Sequence, residues 1–148
     1  MEVSVSSGSG EVWLLPLSLR ELARALEVMA GGMSPATGAG PAAVELTLLD
    51  DAGMAELNGN FLGLSGPTNV LSFPAAAADE TGSLALAVPT VCREAWLYGQ
   101  DAAAYTLRML AHGLAHLMGY EHGPEMDIEV EKALTAASAM FLYDGNLK

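Results

Sequence analysis

The chain has 148 residues, enough for one ordinary domain over 1–148, and its 51% hydrophobic and 16% charged content is typical of a globular protein. Eighteen acidic against six basic residues give a formal charge of −12, which argues against tight autonomous binding to nucleic acid. A single cysteine excludes an internal disulfide, and neither a secretory signal nor an apolar membrane-spanning run is found, so we expect a cytoplasmic protein without a membrane partner.

The first half of the chain predicts a helix, a strand and a second helix. The first helix begins at a capping-box pattern, Ser18 followed by Glu21, and ends at Gly31-Gly32. A buried or edge strand is predicted over 43–49. A second helix, capped by one of two adjacent aspartates, is expected over about 50–62.

The second half predicts two strands and three helices. The strands cover 70–73 and 83–88, and the helices cover about 89–98, 101–118 and 124–143. Strands interspersed with helices, with the last two helices consecutive, predict an α+β or mixed α/β layer architecture.

Large apolar side chains in these elements are assigned to the core. Trp13 and Trp96 are both placed there, which leaves no predicted aromatic platform for nucleobases. The buried face of the last helix is predicted to carry Ile128, Leu134, Ala137, Met140 and Phe141.

All three histidines of the chain lie in one eleven-residue window, as His112, His116 and His122. The first two are one helical turn apart, so their imidazoles project from the same face. Gly119 lets the backbone leave the helix, so the third histidine can fold back toward the others. Three neutral imidazoles match a tetrahedral zinc site that keeps an open fourth position for catalysis. The alternative is that they are ordinary surface or core histidines.

The same histidine spacing occurs in the metzincin peptidases, whose motif is H-E-x-x-H-x-x-G-x-x-H. Those enzymes need a glutamate directly after the first histidine as the general base. Gly113 stands at that position here, and glycine cannot transfer a proton. Peptide hydrolysis by that route is therefore disfavoured.

Two motifs of this chain resemble those of one bacterial family. Residues 112–122 read HGLAHLMGYEH and resemble the H-G-x-L-H-L-x-G-Y-D-H signature of the YbeY family, zinc-dependent endoribonucleases linked to rRNA maturation. Leu57-Asn58 and the PTNVLSFP of 67–74 resemble that family's L-N and P-T-D-V-L-S-F-P segments, and 82–84 falls where the family has G-D-I. The resemblance spans roughly 44–134.

The resemblance implies a zincin-like site in which one zinc ion is held by His112, His116 and His122. It also implies an α+β fold with a mixed β-sheet of about four strands, in agreement with the elements predicted above. The substrate would be RNA, specifically rRNA at the 16S 3′ end, with the ribosome or ribosomal proteins as further partners. It implies no DNA partner.

Several positions depart from the family pattern and change the charge around the expected cleft. The arginine that follows an aromatic residue in the family is Leu62 here, after Phe61, and a leucine cannot clamp a phosphate. The aspartates of P-T-D and G-D-I are Asn69 and Ser83, and that of the signature is Glu121. The fold and the metal site survive these changes more readily than catalysis does.

Four residues near the motifs are candidates for catalysis or substrate binding. Glu121 could orient the adjacent imidazole or take a proton from the bound water; the alternative is a solvated carboxylate on a turn. Arg108, one turn before the first histidine, could face a phosphate, or it could be solvated or salt-bridged. Asn69 and Ser72, brought near the site by the family resemblance, could hydrogen-bond the substrate, although strand-end capping also explains them.

The expected function is zinc-dependent cleavage of single-stranded RNA in rRNA maturation and ribosome quality control. The zinc would polarise the scissile phosphate, activate a nucleophile (water or the ribose 2′-OH), or do both. The competing class is a metal-stabilised ribosome-assembly protein with weak or no nuclease activity. Leu62 and the charge of −12 favour that class, whereas an open three-histidine site favours the enzyme.

Overall fold

The structure, a computed structural model, describes residues 1–8, 14–38, 40–62, 68–77 and 80–144, without the side chains of 61–62 and 141–144. The elements along the chain are β1 (Glu2–Ser7), α1 (Leu19–Gly32), β2 (Ala43–Leu49), α2 (Asp51–Leu62), β3 (Val70–Phe73), β4 (Thr81–Ala87), α3 (Val88–Leu97), α4 (Ala102–Leu117) and α5 (Pro124–Asp144). Each helix and strand predicted above is present to within two residues.

The four strands form one mixed sheet in the order β1-β2-β4-β3. The first three run parallel, and β3 pairs antiparallel with β4 at the edge of the sheet. This confirms the predicted α+β fold with a mixed sheet of four strands. β1 is the strand that goes unpredicted, because only Val3 and Val5 mark its half-buried face.

Helices cover both faces of the sheet. Side chains that alternate along β4 contact the helices on one face and then those on the other. Leu84 and Leu86 join the main core, which α1, α4 and α5 cover, whereas Ala85 and Ala87 face Met54 of α2. Successive strand residues point to opposite faces, so one strand supplies both layers.

The predicted caps of α1 and α2 are present, and α4 is also capped. The Ser18 Oγ accepts from the Glu21 amide at 3.0 Å, and the Glu21 carboxylate accepts from the Ser18 amide at 2.8 Å. Asp50 caps α2 by accepting from the Gly53 amide at 2.8 Å. Asp101 caps α4, the helix that carries two of the histidines, by accepting from the Ala104 amide at 2.9 Å.

Two core assignments are wrong. Trp96 is 81% exposed, because α3 buries Val88, Val91 and Ala95 and turns its next residue outward. Ile128 is 59% exposed. Ala137 and Met140 are buried as predicted, together with Met126, Val130 and Ala133. The side chain of Phe141 lies outside the described part of the chain. Trp13 lies outside the described residues. Within the described ranges, no helix has the length and apolar character needed to cross a membrane.

Candidate metal centre

A cleft of about 560 Å³ lies between the edge strand β3 and helix α4. It is lined by Asn69, Val70, Leu71, Ser72, Pro74, Met109, His112, Gly113, His116 and His122. The two motifs that carry the family resemblance therefore meet at one place: residues of 69–74 form one wall, and the histidine segment forms the other.

Gly113 allows these two walls to approach closely. A Cβ at this position would lie 3.2 Å from the Ser72 Oγ and 3.3 Å from the Val70 Cγ2. The Ser72 hydroxyl also donates a hydrogen bond of 3.0 Å to the Gly113 carbonyl. Gly113 is buried under the sheet, so a glutamate base at this position, as in the metzincins, has no room.

The turn after α4 fixes the direction of His116. Gly119 has a φ of +97°, and the amides of Gly119 and Tyr120 donate to the carbonyls of His116 and Ala115 at 3.0 and 3.1 Å, a Schellman C-cap. The Nδ1 of His116 in turn donates to the Tyr120 carbonyl at 3.0 Å. Because a carbonyl only accepts, the proton sits on Nδ1 and the lone pair sits on Nε2.

His116 and His122 are in ring contact, with centroids 4.9 Å apart and an interplanar angle of 82°. Two imidazoles that bind one zinc ion at about 2 Å with tetrahedral angles have centroids about 5 Å apart, so the pair fits a shared ion. Among the described residues, however, no group of three or more His, Cys, Asp or Glu is arranged to hold a metal ion. A three-ligand site therefore requires the rings to reorient within the cleft.

His112 is half-buried in the same cleft, and its environment favours the neutral ring. Burial lowers the pKa of His112, and the charges of Arg108, His122 and His116 lower it further, against the opposing charge of Asp127. A neutral imidazole has a free lone pair at neutral pH, which is the form that binds a metal.

The predicted catalytic and phosphate-binding residues lie outside this lining. Glu121 is exposed on the turn that precedes His122. Arg108 is exposed on α4 and forms an ion pair of 2.8 Å with Glu131 of α5. Leu62 belongs to α2, but its side chain lies outside the described part of the chain.

Both polar residues predicted on the β3 side do line the cleft, but Asn69 is already held by protein groups. Its Nδ2 donates to the Glu94 Oε1 at 3.0 Å, and its Oδ1 accepts from the Val70 amide at 2.7 Å. The same Glu94 oxygen accepts from the Tyr105 hydroxyl at 2.9 Å. Burial, then the bond to Glu94, raises the pKa of Tyr105 to about 12, so the phenol stays a donor.

Sequence reasoning missed the part that Glu94 plays in this network. Glu94 lies in the middle of α3, outside both motifs, and nothing in its local sequence marks it. Only the packing of α3 beside α4 brings its carboxylate to the end of the cleft.

The fold and the cleft define a class of protein: an α+β domain with a histidine cleft between an edge strand and a central helix. A family model described as Endoribonuclease YbeY matches residues 18–140. This match covers most of the chain, so the chain belongs to the YbeY family, and the resemblance drawn from its motifs is confirmed.

Relatives from several bacteria agree with this assignment. A protein of Nitratidesulfovibrio vulgaris named Endoribonuclease YbeY is 42% identical over 148 residues, which cover 86% of this chain and 89% of the relative. One of the same name from Oleidesulfovibrio alaskensis is 39% identical over 166 residues and covers 96% of both chains. A protein of Thermotoga maritima solved in solution shares the fold, with a TM-score of 0.64, 20% identity, and 99% and 95% of the two chains covered.

Proposed function

We propose that this protein is a zinc-dependent endoribonuclease that cleaves single-stranded RNA, with His112, His116 and His122 as the zinc ligands. We further propose that it acts in the cytoplasm on rRNA, at the 16S 3′ end, during maturation and quality control of ribosomes. The relatives named Endoribonuclease YbeY support RNA cleavage. The metal, the rRNA substrate and the ribosomal partners are inferred from the histidine motif and the family resemblance.

The observation that carries the proposal is the contact between His116 and His122 in the cleft that His112 also lines. The set is made only of imidazoles, which are common zinc ligands, and it includes no fourth protein ligand. The Tyr120 carbonyl holds His116 with its Nε2 lone pair available. Such an orienting carbonyl is typical of a metal-binding histidine.

Zinc bound by three imidazoles supplies Lewis acidity, which stabilises negative charge on a phosphoryl oxygen and acidifies water. The chain itself supplies the walls that position the RNA. The Ser72 hydroxyl donates a hydrogen bond to the Gly113 carbonyl. Its oxygen therefore remains able to accept a hydrogen bond from a ribose 2′-OH. Gly113 provides no base, so we assign proton removal to Glu121, which precedes His122 and is open to solvent.

Arg108 is the cation proposed to meet the phosphate. Its ion pair with Glu131 leaves its side chain 45% exposed, and exposed pairs of this kind contribute little to stability. The guanidinium can therefore leave Glu131 for a phosphate at small cost. A bidentate contact with phosphate oxygens would use the planar geometry of the guanidinium.

A metal-stabilised ribosome-assembly protein without nuclease activity is the second candidate. The charge of −12 favours it. Among the described residues, Arg93, Arg108 and Lys132 are held in ion pairs with carboxylates, which also favours it. Both candidates share the metal site, so only an activity measurement separates them.

The test is to load purified protein with zinc and to measure both bound zinc and cleavage of single-stranded RNA. We expect His116→Ala to lose zinc and cleavage together. Arg20→Ala, a change on the exposed start of α1, is the matched control and should retain both. Zinc content equal to wild type in His116→Ala would refute the ligand assignment. Zinc binding without metal-dependent cleavage in wild type would select the assembly protein.

A further inference from the structure

The C-terminal end of α3 presents an aromatic ring to solvent close to the cleft. Tyr98 is 61% exposed. Its ring contacts that of Tyr105 on α4, with centroids 6.0 Å apart and an interplanar angle of 61°. An edge-to-face contact of this kind holds an exposed ring in one orientation.

Hydrogen bonds connect this aromatic pair to the cleft wall. The Tyr105 hydroxyl and the Asn69 amide both donate to Glu94 Oε1, at 2.9 and 3.0 Å. Asn69 lines the cleft, so the aromatic pair is linked to the cleft wall through Glu94.

The spacing along α4 relates the pair to the histidines. Tyr105 lies seven residues before His112 and on the same helical face, which places it about 10 Å away along the helix axis. Stacked nucleotides rise about 3.4 Å each along a strand, so this distance corresponds to about three nucleotides. An RNA strand that follows α4 from the cleft therefore reaches Tyr98.

The charge of the protein makes such a contact important. Proteins bind nucleic acid mainly through phosphate contacts from lysine and arginine. This chain carries a net charge of −12, and Arg108, the cation on the cleft helix, is paired with Glu131. Stacking of a base on an aromatic ring needs no positive charge, and it tolerates any base.

We propose that Tyr98, supported by Tyr105, stacks on a nucleobase of single-stranded RNA about three nucleotides from the cleaved bond. This proposal rests on the proposed function and adds a substrate-binding residue to it. The proposed stacking platform therefore consists of Tyr98, the C-cap residue of α3, and Tyr105 of α4, and not of a tryptophan.

The test compares Tyr98→Ala with Tyr98→Phe and with Trp96→Ala by fluorescence anisotropy on a labelled single-stranded RNA. Loss of the stacked ring should raise the Kd of Tyr98→Ala at least about fivefold, whereas Tyr98→Phe keeps the ring and should bind like wild type. Trp96 is the matched control because it is also exposed, but two helical positions separate it from Tyr98 by about 200° around α3. Its replacement should leave the Kd unchanged.

Two further readouts separate stacking from other causes. The slope of log K against log salt should be the same for wild type and Tyr98→Ala, because no phosphate contact is removed. In a series of RNAs with one abasic nucleotide each, wild type should lose affinity at one position about three nucleotides from the cut. The affinity of Tyr98→Ala should not change when that position is abasic, because this variant has already lost the stacking interaction.

The outcomes are distinguishable from those of the proposed function. If wild type cleaves RNA in a zinc-dependent manner and Tyr98→Ala has an unchanged Kd and KM, the stacking proposal is overturned and the nuclease stands. If Trp96→Ala weakens binding as much as Tyr98→Ala, stacking at Tyr98 is also overturned. If wild type neither binds nor cleaves single-stranded RNA, both proposals fall together.

Discussion

Gly113 packs so closely on Leu84 that a Cβ at position 113 would lie 2.8 Å from the Leu84 Cδ2. Leu84 is 1% exposed, so its side chain is enclosed by the core. Gly113→Ala should therefore force α4 away from β4 and lower the free energy of unfolding by about 1–3 kcal/mol, the usual cost of overpacking a core. Chemical denaturation of both proteins measures this difference.

The control for that measurement is Gly31→Ala on α1. No atom lies within 4 Å of a Cβ there, and alanine has the higher helix propensity. We expect this variant to be as stable as wild type or more stable. Equal stability of Gly113→Ala and wild type would show that α4 and β4 are not in close contact at Gly113.

Gly119→Ala should weaken zinc binding without removing any ligand. At a φ of +97° an alanine is strained, so relief of that strain would displace the Tyr120 carbonyl that holds His116. Loss of an orienting group typically lowers metal affinity about 10- to 100-fold. Competition with a chromogenic chelator measures the zinc Kd. Gly99→Ala replaces another positive-φ glycine, beyond α3, and zinc affinity reduced equally in both variants would contradict the proposed role.

Leu62→Arg should increase RNA cleavage. The change returns the arginine that follows an aromatic residue in the family pattern, and a guanidinium can bind a phosphate where leucine cannot. The readout is kcat/KM on single-stranded RNA, with Leu62→Met as the uncharged control. No gain for arginine over methionine would mean that phosphate binding depends on another cation.

Glu129 should make stability depend on pH. A hydrogen bond of 2.8 Å from the Ser34 amide is the main cause that lowers the pKa of Glu129, and Lys132 lowers it further, against burial. A lowered folded pKa means that this stabilisation is complete above the unfolded value of about 4.3 and is lost as the pH falls through the folded value.

Glu129→Gln should therefore be less stable than wild type by about 1 kcal/mol at pH 7, and the difference should shrink as the pH falls below the unfolded value of about 4.3. Urea denaturation across this pH range provides the measurement. Glu131→Gln is the control, because it removes a carboxylate from an ion pair in which the Glu131 side chain is 63% exposed. It should change the free energy of unfolding by less than about 0.5 kcal/mol. A difference for Glu129→Gln that does not vary with pH would contradict the assignment.

Elements with a strong local signal could be predicted from the sequence. The Ser18 capping box and the apolar periodicity of α4 each depend only on residues that are close in sequence, so both features are present in the structure as predicted. The prediction that Trp96 and Ile128 are buried is wrong, because the elements packed against a helix determine how it is rotated about its axis. Their types favour burial, but α3 and α5 bury smaller residues on an adjacent face.

The candidate site could be predicted where its residues belong to a motif. The histidines and the β3 segment that faces them do share one cleft. Glu94 and the contact of Tyr98 with Tyr105 could not be found, because they depend on how α3 lies beside α4. The zinc ligation, the role of Glu121 and the phosphate contact of Arg108 stay predictions.

The contact of α5 with α1 joins segments from opposite halves of the chain. The two helices pack closely there, because a Cβ at Gly32 of α1 would lie 3.3 Å from the Ala136 Cβ. During synthesis, α1 is made long before α5, so the apolar side chains of α1 that α5 covers stay exposed until α5 follows. A newly made chain therefore closes this part of its core only after α5 has been made. A premature stop before α5 would leave an aggregation-prone product, even though the whole histidine segment had already been made.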